Sequence, residues 1–121
     1  MKFNFPIFVL AKDCGEVLRF ESVYEMQRQL ERIDVENHEY EAWDARGLPL
    51  DLKTQKPVWL SIEPKSSQVQ PSELCKALKE YGSRLGIELT FGKMDAPELD
   101  EAFGQIKTQA DKKGIFRRIL G

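Results

Sequence analysis

Three leucines alternate with other residues in the stretch LPLDL, residues 48–52, and no other feature constrains the fold of this chain as strongly. Successive side chains of a strand point to opposite faces, so a period of two places all three leucines on one side. The same period returns at residues 58–62, where Val, Leu and Ile alternate with Trp and Ser. The sequence therefore predicts neighbouring strands with one buried face.

Two later segments change from the period of a strand to that of a helix. Pro71 suits the first position of a helix, and Gly86 suits the residue that ends it with positive φ. Asp95 and Glu98 have the spacing of a capping pair at the start of a second helix. Both helices have apolar residues every three or four positions. These residues are Leu74, Leu78, Tyr81 and Leu85 in the first helix and Leu99, Phe103, Ile106 and Ala110 in the second.

The first half of the chain predicts two hairpins with a helix between them. Extended runs flank the turn KDCG at residues 12–15, and further extended runs flank the turn DARG at residues 44–47. Ser22 and Glu25 have the spacing of a capping box, which begins a helix. The apolar positions of that helix are Val23, Met26, Leu30 and Ile33.

A last alternating run, at residues 87–91, completes the order β-β-α-β-β-β-α-β-α. We therefore predict a single two-layer α+β domain over residues 1–121, in which a mixed, mostly antiparallel sheet has its helices mainly on one face. A chain of 121 residues is long enough to bury a core of its own without a disulfide or a metal.

Charge and cysteine usage exclude several classes of function. The formal net charge of -2 disfavours nucleic-acid binding, which needs a strongly basic surface. Cys14 and Cys75 lack the spacing of a zinc or redox motif, which is typical of free thiols in a cytoplasmic protein. Asn4 and Pro6 interrupt the apolar N-terminal run, so we expect no signal peptide. The glycines form no phosphate-binding loop, and we expect no cofactor.

A metal site is the one enzyme-like arrangement that the sequence suggests. In an extended conformation Asp34, Glu36 and His38 project from one face, and two carboxylates with one imidazole suit a divalent ion. His38 is the single histidine of the chain, so a nucleophile with an imidazole base would have to use it. A tight turn at Asn37 and His38 is the competing interpretation, because both residue types tolerate positive φ.

The central strands predict an acidic face that contains both tryptophans. When the alternating leucines point to the core, the opposite side presents two large aromatic rings among carboxylates. Tryptophan is frequent at interface hot spots, and acidic charge steers a basic partner. The alternative is that another element, such as the C-terminal helix, covers this face. The predicted interaction face consists of Trp43, Trp59, Glu39, Glu41, Asp51 and Glu63.

The C-terminal segment, residues 115–121, predicts an amphipathic extension. On a helix its apolar side chains lie on one side and its two arginines on the other. We expect it to dock onto the sheet or helices of this protein, and binding to a membrane surface is the alternative. The residues of this segment are Ile115, Phe116, Arg117, Arg118, Ile119 and Leu120.

In size, acidity and α+β pattern the chain resembles small bacterial immunity proteins, which neutralise basic toxins through acidic surfaces. The resemblance implies a basic protein as the partner, and we carry no residue over from it. We predict a non-catalytic protein-interaction domain that binds a basic protein or a second copy of itself. A small metal-dependent enzyme or metal binder and a peripheral membrane protein are the alternatives.

Overall fold

An antiparallel sheet of five strands forms the centre of the computed structural model, which describes residues 2–55 and 59–112. Four helices accompany it within these residues, so the predicted α+β class is confirmed. The spatial order of the strands is β2-β1-β3-β4-β5. The strands are β1 (Ile7–Ala11), β2 (Glu16–Phe20), β3 (Tyr40–Trp43), β4 (Pro49–Lys53) and β5 (Ser61–Pro64). The helices are α1 (Val23–Gln29), α2 (Arg32–Glu36), α3 (Pro71–Arg84) and α4 (Ala96–Lys112).

The pairing of β1 with β3 shows which side chains share a face of the sheet. Phe8 pairs with Trp43, and Val9 pairs with Ala42. Because alternate residues point to opposite faces, Phe8 and Trp43 lie on one side and Val9 and Ala42 on the other. The long helices α3 and α4 pack with the first pair, and the short helices α1 and α2 pack with the second. The sheet therefore separates two cores, and α1 and α2 add a layer that the sequence did not predict.

The limits of α3 follow the predicted end signals. Pro71 occupies the first turn, where its missing N–H costs no hydrogen bond. At the other end Gly86 has φ 74°, and the amide of Ile87 donates to the carbonyl of Gly82 at 2.8 Å. The amide of Gly86 donates to the carbonyl of Ser83 at 3.0 Å. These two bonds form a Schellman motif, which ends the helix.

Residues 87–91 differ from the predicted strand. They form an extended connection between α3 and α4 rather than a member of the sheet. Ile87 and Leu89 are buried in the core between the two long helices, which accounts for their alternation. Gly82 permits this packing, because a Cβ atom there would lie 3.0 Å from the carbonyl oxygen of Ile87.

The predicted first helix is divided into two short helices. Ser22 caps α1 as expected, since its hydroxyl accepts the amide of Glu25 at 3.2 Å. The chain then leaves the helical conformation at Leu30, which has ψ 142°. Because α2 starts a new helix, the apolar face predicted for one continuous helix does not extend to Ile33. The side chain of Ile33 is instead 56% exposed.

The turn between β3 and β4 is organised by the carboxylate of Asp44, which is fully buried. One oxygen accepts the amides of Arg46 at 2.8 Å and Leu48 at 2.9 Å, and the other accepts the amide of Asn4 at 3.0 Å. The guanidinium of Arg46 adds an ion pair at 3.1 Å. These bonds join the turn to the N-terminal segment.

Gly47 joins the same turn to the start of α3. Its φ of 86° lies in the region that favours glycine. A Cβ atom at this position would lie 2.6 Å from the Cα of Pro71. The carbonyl of Gly47 accepts the amide of Gln70 at 2.8 Å. This contact fixes α3 across the sheet face that carries Trp43.

Candidate interaction surface

Three carboxylates lie on the same side of neighbouring strands β3, β4 and β5, and we call Glu41, Asp51 and Glu63 the acidic face. Asp51 pairs directly with Glu63. Glu41 and Asp51 each lie one residue beyond the pair formed by Ala42 and Leu50, so they are the next residues of their strands. All three point to the side of the sheet on which Trp43 lies. Glu41 and Glu63 are exposed, and Asp51 is half-buried.

Within the described residues, one direct ion pair reaches the acidic face. The ammonium group of Lys53 lies 3.4 Å from a carboxylate oxygen of Asp51. In the two described ranges, no ion pair reaches Glu41 or Glu63. Like charges on directly opposed strand positions destabilise a sheet. Lys12 and Lys65 line a small pocket together with Glu41 and Asp51, so part of this negative charge is offset without a direct ion pair.

A cleft of about 590 Å³ lies beside the acidic face, between the sheet and α3. Glu41 belongs to both the acidic face and the rim of this cleft. Glu73 and Glu80 of α3 add two carboxylates, whereas Lys65 and Lys76 add two ammonium groups. The cleft also has an apolar floor. The floor residues are Leu10, Trp43, Pro49 and Ala77.

Trp43 lies at the base of this cleft as part of the core. Its side chain is only 3% exposed, because α3 covers it. The indole Nε1 donates to a carboxylate oxygen of Glu73 at 3.4 Å, which satisfies its one polar group. The alternation of β3 predicted the correct face for Trp43, but this face is closed over the ring. Trp43 therefore supports the cleft and is not an exposed anchor.

Trp59 lies in the other core, which corrects the expectation that the two tryptophans share one face. It packs, half-buried, with the cluster beneath α1 and α2, and the guanidinium of Arg32 lies 5.7 Å from its ring centroid. The physical reason is a bend in the chain at Trp59 before β5 begins at Ser61. The alternation of β5 therefore does not extend back to Trp59.

Glu39, the remaining member of the predicted face, precedes β3. Its carbonyl accepts the amide of Lys12 at 2.9 Å, and its amide donates to the carbonyl of Asp34 at 2.9 Å. The residue therefore joins α2 to the hairpin of β1 and β2 through its backbone. Its side chain is half-buried, unlike that of Glu41 two residues later.

The three predicted metal ligands do not form an extended set. Asp34 and Glu36 belong to α2, so the alternation on which the prediction depended is absent. His38 has φ 56°, as the competing turn interpretation expected. A carboxylate oxygen of Asp34 instead accepts the hydroxyl of Tyr40 at 3.4 Å. Across residues 2–55 and 59–112, no group of three or more His, Cys, Asp or Glu side chains is arranged to hold a metal ion.

The two thiols occupy different environments. Cys14 is exposed in the turn between β1 and β2, whereas Cys75 is buried on α3. Burial raises the pKa of the Cys75 thiol, and the nearby carboxylate of Glu98 raises it further. A raised pKa lowers the thiolate fraction, so Cys75 is poorly suited to act as a nucleophile.

The predicted docking or membrane segment, residues 115–121, lies outside the described residues, so both predictions about it stay open. In the part of the chain that the structure describes, no helix has both the length and the apolar character needed to cross a bilayer.

Sequence reasoning missed the contribution of α3 to the cleft. Glu73, Lys76, Ala77 and Glu80 follow the spacing of one helical face, next to the buried stripe. The sequence therefore does show Ala77, a small residue, within a stripe of charged residues on one face of the helix. The sequence does not predict which strand this stripe faces. The position of α3 over the sheet is set by the contact between Gly47 and Pro71, which are distant in sequence.

Comparison of the chain with protein-family models, with curated proteins and with solved structures found no match.

Proposed function

We propose that this protein is a non-catalytic interaction domain that binds a basic segment of a partner protein at the acidic face and the adjoining cleft. The observation that carries the proposal is the set of carboxylates on neighbouring strands, with Asp51 directly opposite Glu63. Such an arrangement costs stability when the protein is alone. A cationic partner removes that cost, and long-range attraction increases its association rate.

The cleft supports a partner segment of particular chemistry. Its floor is apolar, and its rim holds Glu41, Glu73 and Glu80. A segment with small apolar side chains and a flanking arginine or lysine matches both features. Lys65 and Lys76 interrupt the negative rim, so they disfavour a segment with cations at every position.

The test uses a charge-reversed variant that leaves the core intact. Glu41→Lys combined with Glu63→Lys changes two exposed side chains. We expect a short peptide of alternating arginine and alanine to shift the amide resonances of β3, β5 and the first half of α3 in a low-salt NMR titration. The variant should weaken this binding at least tenfold, which corresponds to about 1.4 kcal/mol. Added salt should weaken binding to the native protein in the same direction.

The matched control is Glu88→Lys, which reverses one exposed charge on the connection between α3 and α4. It should bind the peptide as the native protein does. Equal affinity of the doubly reversed variant and the native protein would refute the acidic face as the binding surface. Trp43→Ala does not serve as a test, because removing a core side chain would change stability as well as binding.

The peptide titration tests whether the acidic face binds a basic segment. A second experiment is needed to identify a natural partner. Immobilised native protein should capture a basic protein from a lysate at low salt, and the doubly reversed variant should not. A second copy of this chain is the competing partner. Sedimentation of the purified protein distinguishes it, since self-association through this face would disappear in the same variant.

A further inference from the structure

A groove of about 570 Å³ runs along β2, which is an end strand of the sheet. Five consecutive residues of β2 pair with β1, so no bulge disturbs the strand. Within the described residues, β1 is the one strand neighbour of β2. The outer edge of such a strand presents a row of backbone N–H and C=O groups with which an extended segment can pair. The groove therefore lies beside a regular strand edge.

The other edge of the sheet is less suited to pairing. β5 has four residues and ends at Pro64, which has no N–H to donate. Short length and proline are two of the features by which proteins prevent pairing at a sheet edge. The sequence of β2, EVLRF, contains no proline. The edge of β2 is therefore the one that can accept a further strand.

Side chains from both sides of the sheet line the groove. Val17 belongs to the core beneath α3 and α4, and Leu18 packs against the core beneath α1 and α2. Phe103 of α4 adds an aromatic ring to the lining, and Gln29 at the end of α1 adds an amide. A strand in this groove would have protein against both of its faces, which suits apolar residues and threonine.

The hydroxyl of Tyr81 has no hydrogen-bond partner among the described residues, although Tyr81 is only 5% exposed. No fully enclosed side-chain oxygen in the described ranges lacks a partner, so this hydroxyl reaches the groove that Tyr81 lines. Burial and the charge of Glu16 raise the pKa of Tyr81, and the hydroxyl keeps its proton at neutral pH. It can therefore donate a hydrogen bond to a bound segment.

The charges of the groove favour a cation near the start of β2. Glu16 and Asp111 both line the groove, and within the described residues neither carboxylate forms an ion pair. Burial and the charge of Asp13 raise the pKa of Glu16, and a cation beside this carboxylate would offset both effects. Arg19 is already neutralised by two carboxylates at 2.6 Å, which leaves Lys107 as the competing cation of the lining.

We propose that the edge of β2 binds an extended segment of another protein as an added antiparallel strand, with a lysine or arginine beside Glu16. Neighbouring strands of the sheet are all antiparallel, and this direction places the C-terminal end of the segment beside the start of β2. Five residues of a strand span about 17 Å, so a segment of five residues matches the length of β2. The site shares no lining residue with the acidic face and its cleft, and it does not depend on them.

The probe is the peptide acetyl-Val-Thr-Val-Thr-Lys-amide, titrated at low salt into the isotope-labelled full chain and followed by NMR. The amide resonances of β2 and of the second half of α4 should shift. In a tenfold excess of peptide over its dissociation constant, β2 amides that do not bond to β1 should exchange about tenfold more slowly. Glu16→Gln should weaken binding about fivefold. Glu88→Lys, an exposed change away from the groove, should leave it unchanged.

Changes to the peptide test the strand geometry without altering the protein. Alternate amides of a strand face its neighbour, so N-methylation of only one of the second and third peptide residues should abolish binding. The peptide acetyl-Lys-Val-Thr-Val-Thr-amide has the same composition with the cation at the other end. It should bind about fivefold more weakly, because its lysine then lies beside Arg19 rather than Glu16.

Three results would overturn the proposal. The first is equal affinity for the two placements of lysine or an equal effect of the two N-methyl groups. The second is a set of shifts confined to β3, β5 and α3, which would assign the peptide to the acidic face. The third is protection of the β2 edge without peptide in a species with the mass of a dimer in sedimentation, which would assign the edge to a second copy. The variant with Glu41→Lys and Glu63→Lys separates this site from the acidic face, since it should bind the lysine peptide as the native protein does.

Discussion

A single buried carboxylate, that of Asp44, joins the turn between β3 and β4 to the N-terminal segment, which is distant in sequence. It accepts the amides of Asn4, Arg46 and Leu48, and it is fully buried. Asp44→Asn replaces one acceptor oxygen with an NH₂ group that would face these donors. We expect a loss of about 2–4 kcal/mol in the free energy of unfolding, because hydrogen bonds to a charged group are among the strongest.

Urea unfolding at neutral pH measures this loss. Asp51→Asn is the matched control, since Asp51 is half-buried and its ion pair with Lys53 is largely exposed. That change should alter the free energy of unfolding by less than about 1 kcal/mol. Equal stability of the two variants would show that the Asp44 network does not hold the turn.

Gly47 lies too close to the start of α3 to carry a side chain without strain. Gly47→Ala places a Cβ atom 2.6 Å from the Cα of Pro71 and keeps a φ of 86° that alanine rarely adopts. The combined strain and clash should destabilise the protein by about 2–4 kcal/mol in urea unfolding. Gly104→Ala is the control, because its Cβ would meet nothing within 4 Å on α4. There the helix propensity of alanine should stabilise by up to about 1 kcal/mol, and an equal response at both positions would contradict the argument.

At the scale of elements, the sequence predicted those features that depend on neighbouring residues. The cap at Ser22, the start at Pro71 and the end at Gly86 all use atoms within a few positions, and the structure has each of them. The face of Trp43 also followed from the local alternation of β3. That another element covers this face was the alternative that the sequence offered, but α3 was not identified as that element, because the cover depends on where α3 packs.

Residues 87–91 show why a period alone does not define a strand. Ile87 and Leu89 alternate with polar residues because one side of the segment is buried. Here that side packs against α3 and α4 and not against a neighbouring strand. Within the described residues, amides 88–91 have no hydrogen-bond partner. We therefore expect these amides to exchange at least a hundredfold faster than those of β1, measured by NMR in D₂O. Exchange as slow as that of β1 would indicate that the segment pairs as a strand after all.

At the scale of the whole molecule, the sheet is shared by two cores. Phe8 belongs to the core beneath α3 and α4, and Val9 belongs to the core beneath α1 and α2. Because both cores pack on the same sheet, unfolding of the strands would expose both cores to water. We therefore expect one cooperative unfolding transition despite the separation of the two apolar clusters.

The two tryptophans provide the test, because Trp43 lies in one core and Trp59 packs against the other. In the Trp59→Phe variant, fluorescence reports only the core beneath α3 and α4, and in Trp43→Phe it reports only the opposite core. Within each variant, the urea midpoint from fluorescence should coincide with the midpoint from far-UV circular dichroism. A fluorescence change in Trp43→Phe at lower urea than the dichroism change would show that the layer of α1 and α2 unfolds separately. Coincident midpoints in both variants would mean that the two cores unfold together, because both pack on β1 and β3.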